Sequence, residues 1–262
     1  MRILISKIVM TGDIRRRRIC EIVAQEGFFD IPSLARLFDT STSTIRRDLQ
    51  ILEQSRLIKR TPGGALPSRE DIVLFESRDL LHIEEKERIG KKASELIKDG
   101  ETIFIDAGST TARVAKYLLS KNLTVITNGP NISHILQRGR GITIIQTGGK
   151  FIPAIQSLVG SIAEEVLRKF NTDKALIATA GVSSDEGLTN LFLEEVPIKK
   201  IAIERTKEAI VVADSSKFGK KAATSGIALD HIKFIVTDDK IPGEERARLE
   251  EKGIKIIIAD GN

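Results

Sequence analysis

The alternation of short apolar segments with helical ones beyond residue 84 most constrains what this chain can fold into. Seven apolar runs predict β-strands: Thr102–Ile105, Leu123–Ile126, Ile142–Ile145, Ala175–Ala178, Ala209–Val212, Phe234–Val236 and Ile254–Ile258. An amphipathic helix is predicted before them at Glu85–Ile97, and further helices lie between most of them. This alternation is typical of a parallel sheet covered by helices on both faces. We therefore expect an α/β domain with a mostly parallel sheet at residues 84–262.

The first quarter of the chain has a different pattern. It predicts three helices and two short strands, namely Ile14–Gln25, Ile31–Phe38, a helix from the capping residue Ser41 to about Gln54, Leu57–Lys59 and Ala65–Leu66. The strands flank a Thr-Pro-Gly-Gly turn, as in a winged helix-turn-helix. We predict a small domain at residues 12–67 with its helix-turn-helix at about 31–53, followed by a polar linker at 68–83.

Charge is distributed unevenly between these two parts of the chain. The formal net charge is +5, and residues 1–70 carry 13 Lys and Arg against 8 Asp and Glu. Residues 71–262 hold 28 of each sign, so the whole basic excess lies in the first quarter and is mostly arginine. Because a guanidinium group can donate two parallel hydrogen bonds to a phosphate, this asymmetry indicates nucleic-acid binding. A solvated basic face is the alternative.

The third predicted helix has an outer face suited to DNA. At about 100° per residue, Ile45, Leu49 and Leu52 share one side, and Asp48 lies near its edge. The opposite side carries hydroxyl, amide and guanidinium groups, which can reach base edges and phosphates in the major groove. The predicted DNA-binding residues are Ser41, Thr42, Ser43, Thr44, Arg46, Arg47 and Gln50, with Arg60 in the wing.

Three motifs of this first domain match a known pattern. They are Ser41-Thr-Ser-Thr-Ile-Arg-Arg-Asp-Leu49, Leu52-Glu53 and Arg60-Thr-Pro-Gly-Gly-Ala65. Together they resemble the DNA-binding signature of the DeoR family of transcription regulators. Pro62 stands where many members have another residue, and it removes a backbone donor from the wing tip. The alternative is a winged helix that contacts only proteins; the confined charge and the Arg46-Arg47 pair favour DNA.

Polar and glycine-rich loops follow several predicted strands of the second domain. Asp106–Thr111 leads from a strand into a helix, whose first N–H groups and nearby hydroxyls suit a phosphate. Parallel strands end at one edge of their sheet, where ligands usually bind, so we expect the loops to form one site. The predicted effector-binding residues are Asp106, Gly108, Ser109, Thr110, Thr111, Asn128, Gly148, Gly149, Lys150, Asp214 and Lys217. Taken singly, each loop is also compatible with a helix cap or a turn that binds nothing.

The same loops, together with Lys86, Gly100, Gly160 and Gly187-Leu-Thr189, resemble the sensor domain of the DeoR family. With the first domain, the resemblance spans nearly the whole chain. The family's sensor is similar in fold to ribose-5-phosphate isomerase and sugar-phosphate deaminases. The resemblance therefore implies a fold of that kind and a phosphorylated sugar as effector.

Two functions are compatible with these patterns. The first is a sequence-specific DNA-binding regulator, a repressor of a sugar-catabolic operon that a phosphorylated sugar controls. The alternative is a sugar-phosphate isomerase or deaminase-like enzyme with an appended DNA-binding module, for which Asp106 and Glu194 or Glu195 are candidate bases and Lys217 is a candidate electrostatic partner. The three histidines are scattered without metal-ligand spacing. We therefore predict a regulator with no catalytic residues, metal or cofactor.

Partners and location follow from the same features. We expect double-stranded operator DNA, a phosphorylated sugar effector and a homodimer or higher oligomer, because one winged helix contacts few base pairs. The single Cys20 allows no internal disulfide, and no apolar run approaches the length of a membrane span. Met1–Met10 lacks the cleavage site of a signal peptide. These features predict a cytoplasmic protein without membrane attachment, whose natural start is Met1 or Met10.

Overall fold

A computed structural model describes residues 11–26, 28–55, 57–67, 75–224 and 226–260 of the chain. It divides the chain into two compact units, Met1–Leu81 and His82–Asn262. Each unit has its own hydrophobic core. Met1–Met10, where the two possible start residues lie, falls outside the described residues.

The first unit is a small helical domain with a three-stranded sheet. Its elements are α1 (Gly12–Glu26), β1 (Phe29–Asp30), α2 (Ile31–Leu37), α3 (Thr42–Gln54), β2 (Ile58–Thr61), β3 (Gly64–Pro67) and α4 (Phe75–Leu80). The strands are antiparallel in the order β1-β3-β2, and β2 and β3 form the predicted wing. The three predicted helices and both strands are confirmed, while β1 was missed because two residues carry no periodicity.

Helix caps explain where α2 and α3 begin. Asp30 accepts a hydrogen bond from the Ser33 backbone N at 2.8 Å, and Ser41 accepts one from the Thr44 backbone N at 3.1 Å. The core beneath them is formed by side chains of all three helices, including Ile19, Leu34 and Leu49. The predicted linker at 68–83 needs correction, because α4 lies within it and the next helix begins at Ile83.

The second unit is built on a seven-stranded sheet. In chain order its elements are α5 (Ile83–Ser94), β4 (Thr102–Ile105), α6 (Ser109–Tyr117), β5 (Leu123–Thr127), α7 (Pro130–Leu136), β6 (Ile142–Gln146), β7 (Lys150–Ile152), β8 (Ser157–Val159), α8 (Ser161–Arg168), β9 (Thr172–Ile177), β10 (Gly181–Ser183), β11 (Gly187–Thr189), α9 (Glu195–Glu204), β12 (Thr206–Val212), β13 (Ile232–Asp238), α10 (Gly243–Glu251) and β14 (Lys255–Ala259). All seven predicted strands are confirmed, and every pairing between them is parallel. The hairpins β7–β8 and β10–β11 were not predicted, because strands of three residues are too short for a pattern to emerge.

The strand order reverses direction near the middle of this sheet. The sheet runs β14-β13-β12-β9-β4-β5-β6, so the chain moves outward from β4 to β6 and then returns to β9 on the other side of β4. In open α/β sheets, ligands bind outside the carboxyl ends of the strands where the direction reverses. Here that point lies between β4 and β9.

Helices cover both faces of this sheet, as the sequence predicted. Residues of α5, α6 and α7 join one buried cluster with Ile103 and Ile105 of β4. Residues of α8, α9 and α10 join the other cluster, which contains Phe104 of the same strand. This division follows from the alternation of side chains along a strand. Within the described residues, none of the helices combines the length and apolar character that crossing a membrane requires.

Candidate DNA-binding surface and effector site

The outer face of α3 has the composition and the exposure predicted for it. Ser41, Thr42, Ser43, Arg46, Arg47 and Gln50 are exposed, and Thr44 is half-buried. The opposite face buries Ile45, Leu49 and Leu52 in the core of the first unit. Ser41 also has a structural role, since its hydroxyl caps α3. The remaining exposed side chains can all donate hydrogen bonds, as contacts to phosphates and base edges require.

Asp48, at the inner edge of α3, forms ion pairs with α1. Asp48 is 2% exposed, and its carboxylate pairs with two arginines of α1: Arg15 Nε lies 2.6 Å from Oδ2, and Arg16 Nη1 lies 3.2 Å from Oδ1. These ion pairs join α1 to α3. Arg15 and Arg16 belong to the basic excess of residues 1–70. Because both pair with Asp48, part of that positive charge is neutralised within the domain.

Arg60 lies on β2 in the wing and is partly engaged by α3. Its backbone N donates to Glu53 Oε1 at 2.9 Å, and its Nε lies 3.8 Å from Glu53 Oε2. Both side chains are more than two-fifths exposed, at 43% and 44%. The guanidinium group is therefore held near the end of the helix but remains open to solvent.

At the carboxyl edge of the sheet, Asp106 bridges the two strands at the point of reversal. It follows β4 and is 1% exposed. The backbone N of Ala178, which follows β9, donates to its Oδ2 at 3.2 Å, and Asn128 Nδ2, which follows β5, donates to its Oδ1 at 3.1 Å. One carboxylate therefore ties together three neighbouring strand ends.

Lys199 of α9 completes a buried network with Asp106. Its ammonium group lies 3.2 Å from Asp106 Oδ2 and 3.4 Å from Glu195 Oε2, and it donates to Ala178 O at 2.6 Å and Asn190 Oδ1 at 2.7 Å. Burial disfavours its charge, but Asp106 and Glu195 outweigh that effect and raise the pKa of Lys199. Burial also raises the pKa of Asp106. We treat the pair as ionised, because both Asp106 oxygens accept hydrogen bonds and a protonated carboxyl would need an acceptor of its own.

The start of α6 has the form of an anion cradle. Its N-cap, Gly108, has no side chain, so no side chain caps the first N–H groups of the helix. A Cβ at Gly108 would lie 2.7 Å from the Ala178 Cβ, which explains the glycine. Ser109 and Thr110 are each 7% exposed at the first two helical positions. The Thr111 hydroxyl is 0% exposed and donates to Gly108 O at 3.1 Å, so it stabilises the turn.

Both the oxygen and the nitrogen of the Asn128 side-chain amide form hydrogen bonds within the protein. Its Oδ1 accepts from the backbone N of Ala107 at 2.9 Å, and its Nδ2 donates to Asp106 and to Ser157 Oγ, each at 3.1 Å. Asn128 therefore shapes the loop after β4. Its predicted contact with an effector would have to compete with these bonds.

Asp214, at the end of β12, has an unused acceptor. It is 0% exposed; its Oδ1 accepts from the Ser216 N–H and hydroxyl, whereas its Oδ2 has no hydrogen-bond partner among the described residues. Burial alone would raise the pKa of Asp214, but the nearby charges of Lys217 and Lys86 lower it. A buried, ionised oxygen of this kind suits a hydroxyl donor from a ligand.

Three further predicted residues lie where β6 leads into β7, while Lys217 is half-buried in the turn after β12. Gly148 and Gly149 form the connection, and Lys150 opens β7. The Lys150 side chain is 70% exposed, and its ammonium group lies 3.6 Å from Glu194 Oε1. This pair lies on the surface, in contrast to the buried Asp106–Lys199 network.

Comparison with known proteins identifies the two units. The DeoR-like helix-turn-helix domain matches residues 15–70, and the DeoR C terminal sensor domain matches residues 81–239. The chain belongs to the DeoR family. Both predicted resemblances are thereby confirmed.

Curated members of the DeoR family match almost end to end. The regulator GolR of Listeria innocua is 33% identical over 94% of this chain and 98% of its own. The glycerol-3-phosphate regulon repressor of Escherichia coli is 34% identical over 87% of this chain and 91% of its own, and the repressor CsqR of the same species is 30% identical over 95% and 96%. These relatives are named as regulators, so the chain is a transcription regulator of this family rather than an enzyme.

Solved structures similar to this DeoR-family chain include two sugar-phosphate isomerases. Ribose 5-phosphate isomerase A of Methanocaldococcus jannaschii has a TM-score of 0.38 and 19% identity, over 51% of this chain and 53% of its own. The enzyme of Neisseria gonorrhoeae has a TM-score of 0.38 and 17% identity, over 55% of each chain. The predicted α/β class is confirmed by the parallel seven-stranded sheet with helices on both of its faces.

Sequence reasoning missed the residues that hold the sensor loops in place. Lys199, Asn190, Ser157 and Asp238 were not predicted, although Asp238 accepts from the Ser215 backbone N at 2.7 Å and so positions the loop after β12. One signal was available: Lys199 lies four residues after Glu195, on a helix face that it shares with the apolar residues Val196, Ala202 and Ile203. A lysine in an apolar helix face implies a buried partner.

Proposed function

We propose that this DeoR-family regulator is a repressor that binds operator DNA through α3 and is controlled by a phosphorylated sugar at the carboxyl edge of its sensor sheet. The observation that carries the proposal is the start of α6. It presents helix N–H groups without a side-chain cap, at the strand end where the sheet reverses. Helix N-termini of this kind bind phosphate.

The DNA-binding part of the proposal rests on the outer face of α3. Arg46, Arg47 and Gln50 are exposed beside the hydroxyls of Thr42 and Ser43. In a helix-turn-helix, the second helix enters the major groove with its N-terminal part. We propose that Arg47 and Gln50 contact base edges, and that Arg60 and the hydroxyls near Ser41 contact phosphates.

The effector part assigns a role to each group of loop residues. Ser109 and Thr110 would bind the phosphate with the N–H groups of α6, and Lys217 would add a positive charge. Asp214 Oδ2 would accept from a sugar hydroxyl, since it has no partner among the described residues. Asp106, Asn128 and Thr111 would support the loop. The name of the glycerol-3-phosphate regulon repressor, a relative, agrees with a phosphorylated polyol or sugar.

We also propose a division into two domains and an oligomeric assembly. The DNA-binding domain would occupy residues 12–67 and the sensor residues 84–262, now with helical structure between them. A homodimer or larger oligomer in the cytoplasm would place two winged helices on repeated half-sites. The target would be a sugar-catabolic operon.

The test is the variant Thr110→Glu, which places a negative charge where the phosphate would bind. We expect operator binding to persist and the response to phosphosugars to be lost. The measurement is an operator titration with glycerol 3-phosphate, ribose 5-phosphate and glucose 6-phosphate, each compared with its unphosphorylated form. The operator is a duplex selected by the wild-type chain from a randomised library.

Two further variants complete this test, one as a control for the added charge and one that removes the Thr110 hydroxyl. Gly243→Glu adds the same charge at the exposed first residue of α10, where a Cβ would meet no atom within 4 Å, and it should respond like the wild type. Thr110→Val removes only the hydroxyl and should weaken phosphosugar binding by ~1.5–3 kcal/mol, the usual contribution of a hydrogen bond to a charged group. A normal response in Thr110→Glu, or an equal response to free sugars, would rule out the phosphate cradle.

A further inference from the structure

The helix that carries the proposed phosphate cradle packs against the helix that opens the sensor unit. α6 begins with Ser109 and Thr110. α5 follows His82, the first residue of the second unit, and is the first helix after α4 of the DNA-binding unit in the chain. A change at the cradle could therefore reach the chain segment that leads to the DNA-binding unit through a single helix contact.

The backbones of α5 and α6 approach closely at Gly90. A Cβ at this position would lie 2.7 Å from the backbone C of Arg113 and 2.9 Å from the backbone N of Val114. Ile89 and Ala93 flank the glycine and join the buried cluster that contains Val114. Close-packed helices of this kind move together, because their contact leaves little free volume for one to shift alone.

A polar clasp beside this contact involves the carboxylate of Glu87. Three side chains of α6 converge on it: Arg113 Nε lies 3.2 Å from Oε1, Lys116 Nζ donates to Oε1 at 2.9 Å, and the Tyr117 hydroxyl donates to Oε2 at 3.0 Å. Burial and this carboxylate together raise the pKa of Tyr117. The carboxylate of one α5 residue thus contacts side chains at positions 113, 116 and 117 of α6, of which Arg113 is buried and Lys116 and Tyr117 are exposed.

α5 is also attached to the loop after β13. Lys240 Nζ donates to Glu85 Oε1 at 2.9 Å, and Arg88 Nη2 donates to Asp239 Oδ1 at 3.4 Å. The helix therefore has polar contacts on two sides, one to the cradle helix and one to the carboxyl edge of the sheet. His82, just before it, has a left-handed backbone with φ +53°, which fixes the direction in which the chain enters α5.

We propose that α5 transmits effector binding to the DNA-binding unit, and that Glu87 is the positioning residue that couples α5 to the cradle helix α6. The inference rests on the proposed function. When a phosphate draws in the start of α6, the Gly90 contact and the Glu87 clasp would move α5 with it. The start of α5 would then shift the segment leading to α4. Coupling between two sites typically changes affinity 5–150-fold.

The test is Glu87→Gln, which keeps the size of the side chain and removes its charge. The measured quantity is the ratio of operator Kd with and without the panel phosphosugar that gives the strongest wild-type response. We expect this ratio to fall toward one in Glu87→Gln, while the operator Kd without phosphosugar and the calorimetric Kd for the phosphosugar stay within about twofold of wild type. A coupling role moves the ratio, whereas a merely structural role would move all three values.

The matched control is Glu95→Gln, at the residue that directly follows α5. Glu95 pairs with Lys92 of α5 at 2.8 Å, so the variant removes an exposed ion pair without touching α6. It should keep the full wild-type ratio. If Glu87→Gln fails to fold, Tyr117→Phe removes one clasp hydrogen bond and should lower the ratio partially. Hydrogen exchange at residues 83–94 should change on phosphosugar addition in the wild type and much less in Glu87→Gln.

The outcomes separate the two proposals. If the wild type responds and Glu87→Gln responds equally, the transmission role of α5 is wrong and the proposed function stands. If Glu87→Gln loses phosphosugar binding itself, Glu87 belongs to the site and the coupling assignment is also wrong. If the wild type binds operator but responds to no phosphosugar while responding to free sugars, the proposed function fails and this inference fails with it.

Discussion

On the outer face of α3, Ser43, Arg47 and Gln50 are exposed, whereas at the edge of the sensor sheet Asp106 and Asp214 are 1% and 0% exposed. The outer face of α3 presents hydrogen-bond donors to solvent. Asp48, the acid near the middle of this helix, lies on the buried side. The edge of the sensor sheet buries Asp106, Lys199 and Asp214 and satisfies most of their polar atoms with backbone and side-chain partners. The outer face of α3 therefore suits a ligand that stays outside the protein, whereas the edge of the sensor sheet suits one that is enclosed.

The difference follows from the size of what each region would bind. A DNA duplex is large and presents its phosphates and base edges at its surface, so the protein needs exposed donors on a rigid helix. A small ligand must be enclosed, and its site needs groups already fixed before it arrives. Buried networks supply that order at the cost of desolvating their charges.

The largest expected effect tests whether DNA binding is mainly electrostatic. If a dimer contacts ~6–10 phosphates, operator affinity should fall ~10³–10⁵-fold between 50 and 200 mM salt. Phosphosugar affinity should change far less, because its proposed site is enclosed and screening acts weakly there. Fluorescence anisotropy and calorimetry over one salt series would measure both. Equal salt dependence of the two affinities would contradict the comparison, as would operator binding that is insensitive to salt.

The next effect concerns the buried network of the sensor. Lys199→Met leaves Asp106 and Glu195 without their cation and should lower the free energy of unfolding of the sensor unit by ~3–5 kcal/mol. The neighbouring Lys200→Met is the control, because Lys200 is exposed and its loss should change little. Urea denaturation of the full chain, followed by a probe in the sensor unit, would measure both. A neutral Lys199→Met would mean that the network is dispensable for stability.

The smallest effect separates sequence recognition from general attraction within the first unit. Arg47→Ala should reduce discrimination between the selected operator and single-base variants by ~1–3 kcal/mol, since Arg47 lies at the centre of the outer face. Arg60→Ala should weaken all duplexes about equally, because Arg60 is in the wing and partly paired with Glu53. Competition binding on a set of variant duplexes would distinguish them. If Arg47→Ala kept the wild-type base preferences, the assignment of α3 as the recognition helix would be wrong.

Much of the fold and part of the candidate site could be predicted from local patterns. Apolar runs such as Thr102–Ile105 coincide with strands because a strand buried on both faces must be apolar along its length. The period of α3 placed Arg47 and Gln50 outside, because side-chain direction along a helix depends only on local geometry. The loop Asp106–Thr111 was located in the same way, from an apolar strand followed by a helix start rich in hydroxyl groups.

Other features depended on residues far apart in the chain, and only the tertiary structure decided them. The sequence alone determined that Asp106 ends a strand, but the order of the strands put it beside Ala178 and within reach of Lys199, 93 positions away. Likewise, Asp48 could be placed at the edge of α3, but not beside Arg15 of α1. Periodicity reports which way a side chain points, whereas its partner is set by how separate elements pack. For this reason the sequence determined the two domains and the exposed outer face of α3, and the packing decided how the sensor loops are held and how α5 contacts α6.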